Sequence, residues 1–173
     1  MKPHYVDVTK ILDHPGEELA FSGAVELEPT KLGAELIEFP LPSDVDVILS
    51  SVSHAIVITG KALGRFRLRC SRCLEKFDFE AAVDIEELAM AEAAEPGRED
   101  VFPLSAGRID LAAVVYQNII VEVPIQPLCR QACAGLCAVC GKNLSDEPHN
   151  HPGEEGDEHF ARLKEYFQRQ RKG

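Results

Sequence analysis

The stretch that decides the fold is AIVITGKALGRFRLRCSRCLEKFDFEAAVDI, residues 55–85. From Ile56 to Cys70 the even positions are apolar or small, whereas the odd positions are largely basic. Residues 77–85 alternate in the same way, with aspartate and glutamate on their polar side. Alternation with a period of two residues is typical of half-buried strands. We therefore predict two antiparallel strands joined by a turn at SRCLE, with Gly60 and Gly64 indicating a bend or bulge.

Complementary charges support this hairpin. Pairing Phe66 with Phe79 sets each strand's charges against those of the other strand, which is worth a few tenths to about 1 kcal/mol per pair. The resulting pairs are Arg67 with Asp78, Arg65 with Glu80, and Lys61 with Asp84.

Working outward, the apolar patterns at residues 17–27 and 45–49 predict further strands. Residues 87–108 are acidic and contain Pro96–Gly97, so we expect most of them to form a surface loop. A buried helix is predicted from an Asp110 N-cap to a stop at Pro124.

A second, terminal helix is predicted near the C-terminus, because Phe160, Leu163 and Phe167 follow helical spacing. The predicted class is α+β: an antiparallel sheet or partly open barrel with a buried helix, a zinc-knuckle-like segment and a terminal helix. We expect a core domain over 1–126, a cysteine-rich segment over 127–152, and an acidic linker with a basic helix over 153–173.

The charge distribution and the absence of long apolar runs limit the classes of function to consider. The 173 residues carry a net charge of −11, but basic residues gather at 61–76 and 161–172. Local basic patches can meet phosphates even on an acidic protein. We expect a cytoplasmic protein, because the chain shows no secretory signal and no apolar run that would cross a membrane. In that compartment thiols stay reduced, which argues against structural disulfides.

The cysteines predict a zinc site, because paired CxxC thiols offer two of the four tetrahedral ligands that zinc needs. Our first choice is the local set of Cys129, Cys133, Cys137 and Cys140. Alternatives combine Cys137 and Cys140 with two partners from Cys133, His149 and His151, or with Cys70 and Cys73. A closed four-ligand site is structural rather than catalytic. CSRC as a redox pair is a weaker interpretation, because no βαβ unit surrounds it.

Together, CSRCLEKF, VEVPIQPLC and GLCAVCGKNL resemble the YceD family of large ribosomal RNA subunit accumulation proteins. The resemblance implies a bacterial or organellar, metal-binding protein without a known reaction. It matches Cys70, Arg72 and Cys73 to the first motif of the family and Cys137 and Cys140 to the second. Ala138 stands where the family usually has proline. His149 and His151 stand where many relatives have a CxC, so histidine ligands remain open.

We therefore expect a noncatalytic factor that supports accumulation or processing of large-subunit ribosomal RNA, with no membrane and no small-molecule substrate. Its partner is expected to be ribosomal RNA or a large-subunit ribosomal protein. The candidate contact residues are Lys61, Arg65, Arg67, Arg69 and Arg72. The simpler alternative is that these cations neutralise the facing acidic strand. Two other hypotheses remain: an acidic adaptor that holds a basic ribosomal protein, and a CxxC thiol oxidoreductase.

Overall fold

A computed structural model describes residues 2–33, 35–53, 55–90, 101–146, 149 and 151. Within them, nine strands and two helices follow one another along the chain: β1 (Tyr5–Asp7), α1 (Thr9–Leu12), β2 (Glu18–Val25), β3 (Thr30–Leu32), β4 (Glu35–Ile37), β5 (Ser43–Val52), β6 (Ala55–Arg69), β7 (Lys76–Met90), β8 (Phe102–Pro103), β9 (Arg108–Asp110) and α2 (Leu111–Ile120). The protein is therefore mostly β-sheet.

The hairpin predicted from residues 55–85 is β6–β7. Its register pairs Phe66 with Phe79 and continues without interruption from Ala55–Met90 to Arg69–Lys76. The three predicted charge pairs, Arg67–Asp78, Arg65–Glu80 and Lys61–Asp84, all lie opposite each other. The predicted register is confirmed: it sets Phe66 opposite Phe79 and the three cations opposite carboxylates.

The main sheet has the order β2-β5-β6-β7-β8, antiparallel except for the parallel pair β7–β8. Strands β3 and β4 form a separate hairpin, and β1 pairs with β9. The described strands make no closed barrel, and all but one pair in the main sheet are antiparallel, as predicted.

Of the bend or bulge expected at Gly60 and Gly64, the bulge is wrong, because each residue of β6 has a single partner on β7. Gly60 pairs regularly with Val47 on one side and with Ile85 on the other. A side chain here would place its Cβ 2.2 Å from the main-chain oxygen of Asp46. The glycine therefore permits a close approach of β5 rather than an extra residue in the ladder.

Helix α2 is the predicted buried helix. The Asp110 carboxylate accepts a hydrogen bond of 3.1 Å from the Ala112 N–H, which confirms it as the N-cap. Much of the helix surface is buried, through Leu111, Ala112, Val114, Val115 and Ile119. The helix ends at Ile120, before Pro124.

The loop expected over 87–108 is only partly observed. Strand β7 continues to Met90, and β8 and the start of β9 lie inside the same stretch. Phe102 and Leu104 are buried there, so apolar burial overrides the acidic, proline-containing sequence. Residues 91–100 and the terminal helix expected after residue 153 lie outside the described residues.

The chain divides into two compact units, residues 1–131 and 132–173. The first holds the sheets, both helices and a continuous apolar core centred on residues such as Phe66, Ile58 and Leu111. In the second, Leu136 bridges Asn143 and the Leu144 N–H donates to the Gly135 carbonyl over 2.9 Å, so residues 135–144 fold back on themselves. The domain boundaries expected at residues 126 and 152 stay predictions.

Candidate metal centres

The first CxxC motif, Cys70 to Cys73, forms a tight turn between β6 and β7. The Cys70 N–H donates to the Glu75 carbonyl over 2.9 Å, and the Leu74 N–H donates to the Cys70 carbonyl over 3.0 Å. The Arg72 N–H points at the Cys70 sulfur, 3.5 Å away. Leu74 adopts a left-handed backbone with φ of 62° to close the turn.

The second CxxC motif, Cys137 to Cys140, forms the same turn. The Cys137 N–H donates to the Lys142 carbonyl over 2.8 Å, and the Gly141 N–H donates to the Cys137 carbonyl over 2.9 Å. The Val139 N–H points at the Cys137 sulfur, 3.4 Å away. Gly141, with φ of 72°, takes the place of Leu74. Two stretches 67 positions apart thus build one geometry, in which two thiols converge and main-chain N–H groups face the first sulfur.

Both turns favour the thiolate. Burial raises the pKa of the Cys70 thiol, but the N–H groups of Cys73, Cys129 and Arg72 outweigh it and lower the pKa to about 6. The N–H groups of Cys140 and Val139 lower the pKa of Cys137 to about 6, with a further contribution from His149. Thiolate is the form of cysteine that binds metal, so each turn prepares a ligand.

The first turn receives its further thiols from residues 127–133. The Ser71 N–H donates to the Pro127 carbonyl over 2.8 Å, and the Cys129 sulfur lies 3.7 Å from the Cys73 sulfur. The next cysteine along the chain, Cys133, completes a group whose four sulfur atoms all lie within 4.8 Å of one another: Cys70, Cys73, Cys129 and Cys133. Three of these side chains are buried, and Cys129 is half-buried.

The second turn is joined by two histidines. The ligand atoms of Cys137, Cys140, His149 and His151 also lie within 4.8 Å of one another. The Cys140 sulfur is 3.1 Å from His149 Nε2. His151 Nε2 is buried and has no hydrogen-bond partner among the described residues. A buried nitrogen without a partner is costly, and a metal ion at this position would satisfy it.

The predicted ligands are therefore divided between two groups. Cys129 and Cys133 lie with Cys70 and Cys73, and Cys137 and Cys140 lie with His149 and His151. The local four-cysteine set, our first choice, is not brought together as one group among the described residues. The long-range set of Cys70, Cys73, Cys137 and Cys140 is not brought together there either. The histidine alternative agrees with the observed second group.

Every residue in these groups was a candidate from sequence, but their division was missed. Six cysteines and two neighbouring histidines are eight soft ligands, enough for two tetrahedral sites. The number of candidate ligands, twice the four that one zinc ion needs, was the sequence signal that pointed to two sites. All six cysteines are present as thiols rather than disulfides, as metal coordination requires. Both donor sets, S4 and S2N2, suit Zn²⁺ and would leave it no open position for substrate.

The basic residues of β6 mostly face carboxylates. The Arg65 guanidinium contacts Asp44 at 2.7 Å and Glu80 at 3.1 Å. Arg67 makes two hydrogen bonds to the Asp78 carboxylate, of 2.7 and 3.1 Å. Lys61 lies 3.5 Å from Asp84 and is exposed. Within the described residues, Arg69 pairs with no carboxylate, and Arg72 lies on the exposed surface of the first CxxC turn. The simpler interpretation therefore accounts for Lys61, Arg65 and Arg67.

The fold and the two cysteine-rich groups define a β-sheet protein with two candidate metal centres. Comparison with known sequences identifies its relatives: the family described as "Large ribosomal RNA subunit accumulation protein YceD" matches residues 58–166. The chain belongs to this family.

Uncharacterized mycobacterial proteins are similar over almost the whole chain. One from Mycobacterium leprae is 30% identical over 169 residues, which are 94% of this chain and 77% of the relative. One from Mycobacterium bovis and one from Mycobacterium tuberculosis are each 32% identical, over 94% of this chain and 81% of the relative. No solved structure matches this chain. Among the described residues, neither helix is long and apolar enough to cross a membrane.

Proposed function

We propose that this chain is a noncatalytic, cytoplasmic ribosome-biogenesis factor that supports accumulation of large-subunit ribosomal RNA and carries two structural zinc ions. The observation that carries the proposal is the pair of four-ligand groups built on one repeated turn. Four protein ligands fill the tetrahedral coordination of zinc, so each ion would stabilise structure rather than activate a substrate. The ribosomal role rests on the family to which the chain belongs.

Each residue group has a defined part in this proposal. Cys70, Cys73, Cys129 and Cys133 would hold one zinc ion, and Cys137, Cys140, His149 and His151 would hold the other. Zinc supplies folding free energy here, because ligands that are far apart in sequence are held at one point. Cys70 and Cys73 are 0% and 4% exposed, which disfavours the alternative of a thiol oxidoreductase, whose reactive thiol must be reached by substrate.

The ribosomal role is tested by replacing the native gene with variants and measuring the ratio of large- to small-subunit ribosomal RNA. We expect loss of the gene to lower this ratio, wild type to restore it, and Cys73→Ser to fail. Val121→Ser is the matched control, because Val121 is 74% exposed and belongs to neither ligand group. An unchanged ratio on loss of the gene would contradict the ribosomal role without bearing on zinc.

A second candidate is an acidic adaptor that holds a basic ribosomal protein. It is favoured by the carboxylates that occupy Arg65 and Arg67, which leave less positive charge for RNA phosphates, and by the net charge of −11. Pull-down of a large-subunit protein that survives nuclease treatment supports the adaptor. Loss of that protein on nuclease treatment supports RNA contact, and an Arg69→Ala, Arg72→Ala variant would then show a smaller salt dependence.

A further inference from the structure

The C-terminal half of β6 has one open edge. Strand β7 pairs with β6 along its full length, whereas β5 pairs only with Ala55 to Leu63. Beyond that point, among the residues that the structure describes, the second edge of β6 forms one isolated bridge, between Arg67 and Glu38. The Arg67 N–H donates to the Glu38 carbonyl over 2.8 Å. In an antiparallel ladder, residues two apart present their main-chain groups to the same side, so Arg69 also faces this edge.

The pairing between β6 and the chain after β4 ends at the Arg67–Glu38 bridge. Extending the register from the Arg67–Glu38 bridge sets Arg69 opposite Leu36, but no bridge joins these two residues among those the structure describes. Two clefts, of about 410 and 300 Å³, lie at this point, and both are lined by Glu35, Leu36, Leu68 and Arg69. The edges of β4 and β6 thus diverge and leave main-chain groups available to a third strand.

The smaller cleft is apolar and contains large side chains that face solvent. Ile125 is fully exposed, and Leu36 and Leu32 are 51% and 49% exposed. Leu68, Val123, Pro124 and Pro127 complete the wall. An apolar surface beside an open strand edge is the arrangement by which proteins capture an extended peptide: main-chain hydrogen bonds hold it, and alternate side chains fill the pocket.

Charge indicates which peptide fits. Arg65, Arg67 and Lys76 each contact a carboxylate of this chain, at 2.7 to 3.1 Å. Arg69 lines both clefts and contacts no carboxylate within the described part of the chain. Glu35 lines the same clefts and would repel a run of acidic residues. A segment with a single carboxylate among apolar residues is therefore the best match.

We propose that this cleft binds an extended segment of a partner protein, which adds to the β6 edge at Arg69, packs apolar side chains against Leu36 and Ile125, and places one carboxylate beside the Arg69 guanidinium. The inference does not rest on the ribosomal role. The cleft borders the first cysteine-rich group, because Pro127 lines the cleft and accepts a hydrogen bond from Ser71 of the first CxxC turn, and the site would add a contact with another protein.

The test is binding of a short blocked peptide, with one glutamate among alternating valine and threonine residues, to the full-length, zinc-loaded chain. Amide chemical shifts are followed in a ¹⁵N–¹H spectrum up to about 1 mM peptide, where weak binding is still measurable. We expect the Leu36 and Arg69 amides to shift. Ile125→Asp and Arg69→Glu should each weaken binding about tenfold, the effect of removing an anchoring side chain.

Two controls keep the result specific. Val121→Asp places the same charge on another exposed apolar residue, which does not line the cleft, and should leave the affinity unchanged. Compared with the glutamate peptide, a peptide with lysine in its place should bind more weakly to the wild-type protein and more tightly to the Arg69→Glu variant. Absence of shifts at Leu36 and Arg69 overturns the proposal. Displacement of the peptide from these residues by a single-stranded RNA oligonucleotide that shifts the same amides also overturns it, in favour of a phosphate site.

Discussion

The repeated CxxC turn makes a prediction about Gly141, whose backbone has φ of 72°. Gly141→Ala forces an L-residue into the left-handed region, which costs about 1–2 kcal/mol. Nothing lies within 4 Å of the added Cβ, so the cost comes from the left-handed backbone itself and not from a clash with residues elsewhere in the chain. In the proposed two-site account, folding of this segment and zinc binding are coupled, so this cost should lower the zinc affinity of the second group by about five- to thirtyfold.

Competition titration against a chromophoric chelator measures this affinity. The first group should be unaffected, since its turn is closed by Leu74. Gly33→Ala is the matched control: Gly33 has φ of 62° and equally open surroundings, but it lies between β3 and β4. It should lower the stability of the sheet unit without changing zinc affinity. Equal zinc affinity in wild type and Gly141→Ala would refute the shared-turn reasoning.

Three further predictions concern the fold and the thiols. Gly60→Ala should lower the free energy of unfolding by about 3 kcal/mol or more, because the Asp46 carbonyl cannot move away from the new Cβ. Thermal denaturation measures this, and a melting temperature within a degree or so of wild type would be contrary evidence. Asp110→Ala should cost about 1 kcal/mol, because the Ala112 N–H loses its cap, whereas Asp110→Asn should retain most of that stability in denaturant titration. Acidification should weaken zinc binding. The lowered pKa of Cys137 stabilises the folded state fully above the ordinary thiol pKa of 9.0; this stabilisation declines as the pH falls and is lost as the pH passes through the folded pKa of about 6. Zinc affinity that is constant from pH 8 to about 5 would contradict this ligand chemistry.

The sequence was sufficient for the hairpin because several independent patterns agree there. Phe66 and Phe79 alternate with charges of opposite sign, and a shift of one residue would move the apolar residues of one strand to the other face and set them opposite charges. Helix α2 was predictable for a similar reason, since Asp110 caps one end and Pro124 limits the other. Both elements were predictable because the residues that define them lie close together in the sequence.

The division of the cysteines was not predictable from local spacing. Cys129 lies closer in sequence to Cys137 than to Cys73, but the Pro127 carbonyl accepts a hydrogen bond from Ser71 and brings Cys129 beside the first turn. That contact depends on how the chain continues after α2, which sequence periodicity does not encode. The short strands β8 and β9 were missed for a related reason, because Phe102 and Ile109 are buried through tertiary contacts.

The basic stripe shows how a charge pattern supports two different interpretations. Alternating cations on β6 resemble a phosphate-binding surface, yet the same alternation on β7 supplies carboxylates to Arg65 and Arg67. The acid from β5, Asp44, was not anticipated as a partner of Arg65. The structure therefore shifts attention from the whole stripe to its end at Arg69, beside the open edge of β6.

Native mass spectrometry of the full-length chain tests the two-site account most directly. We predict two zinc ions in wild type and one in Cys70→Ser, Cys133→Ser or the double variant of these two, because both residues serve the same ion. His151→Ala should likewise remove one ion, and combining it with Cys133→Ser should remove both. A wild-type protein with one zinc ion that is kept in Cys70→Ser and His151→Ala but lost in Cys133→Ser would contradict the account and restore the local four-cysteine set.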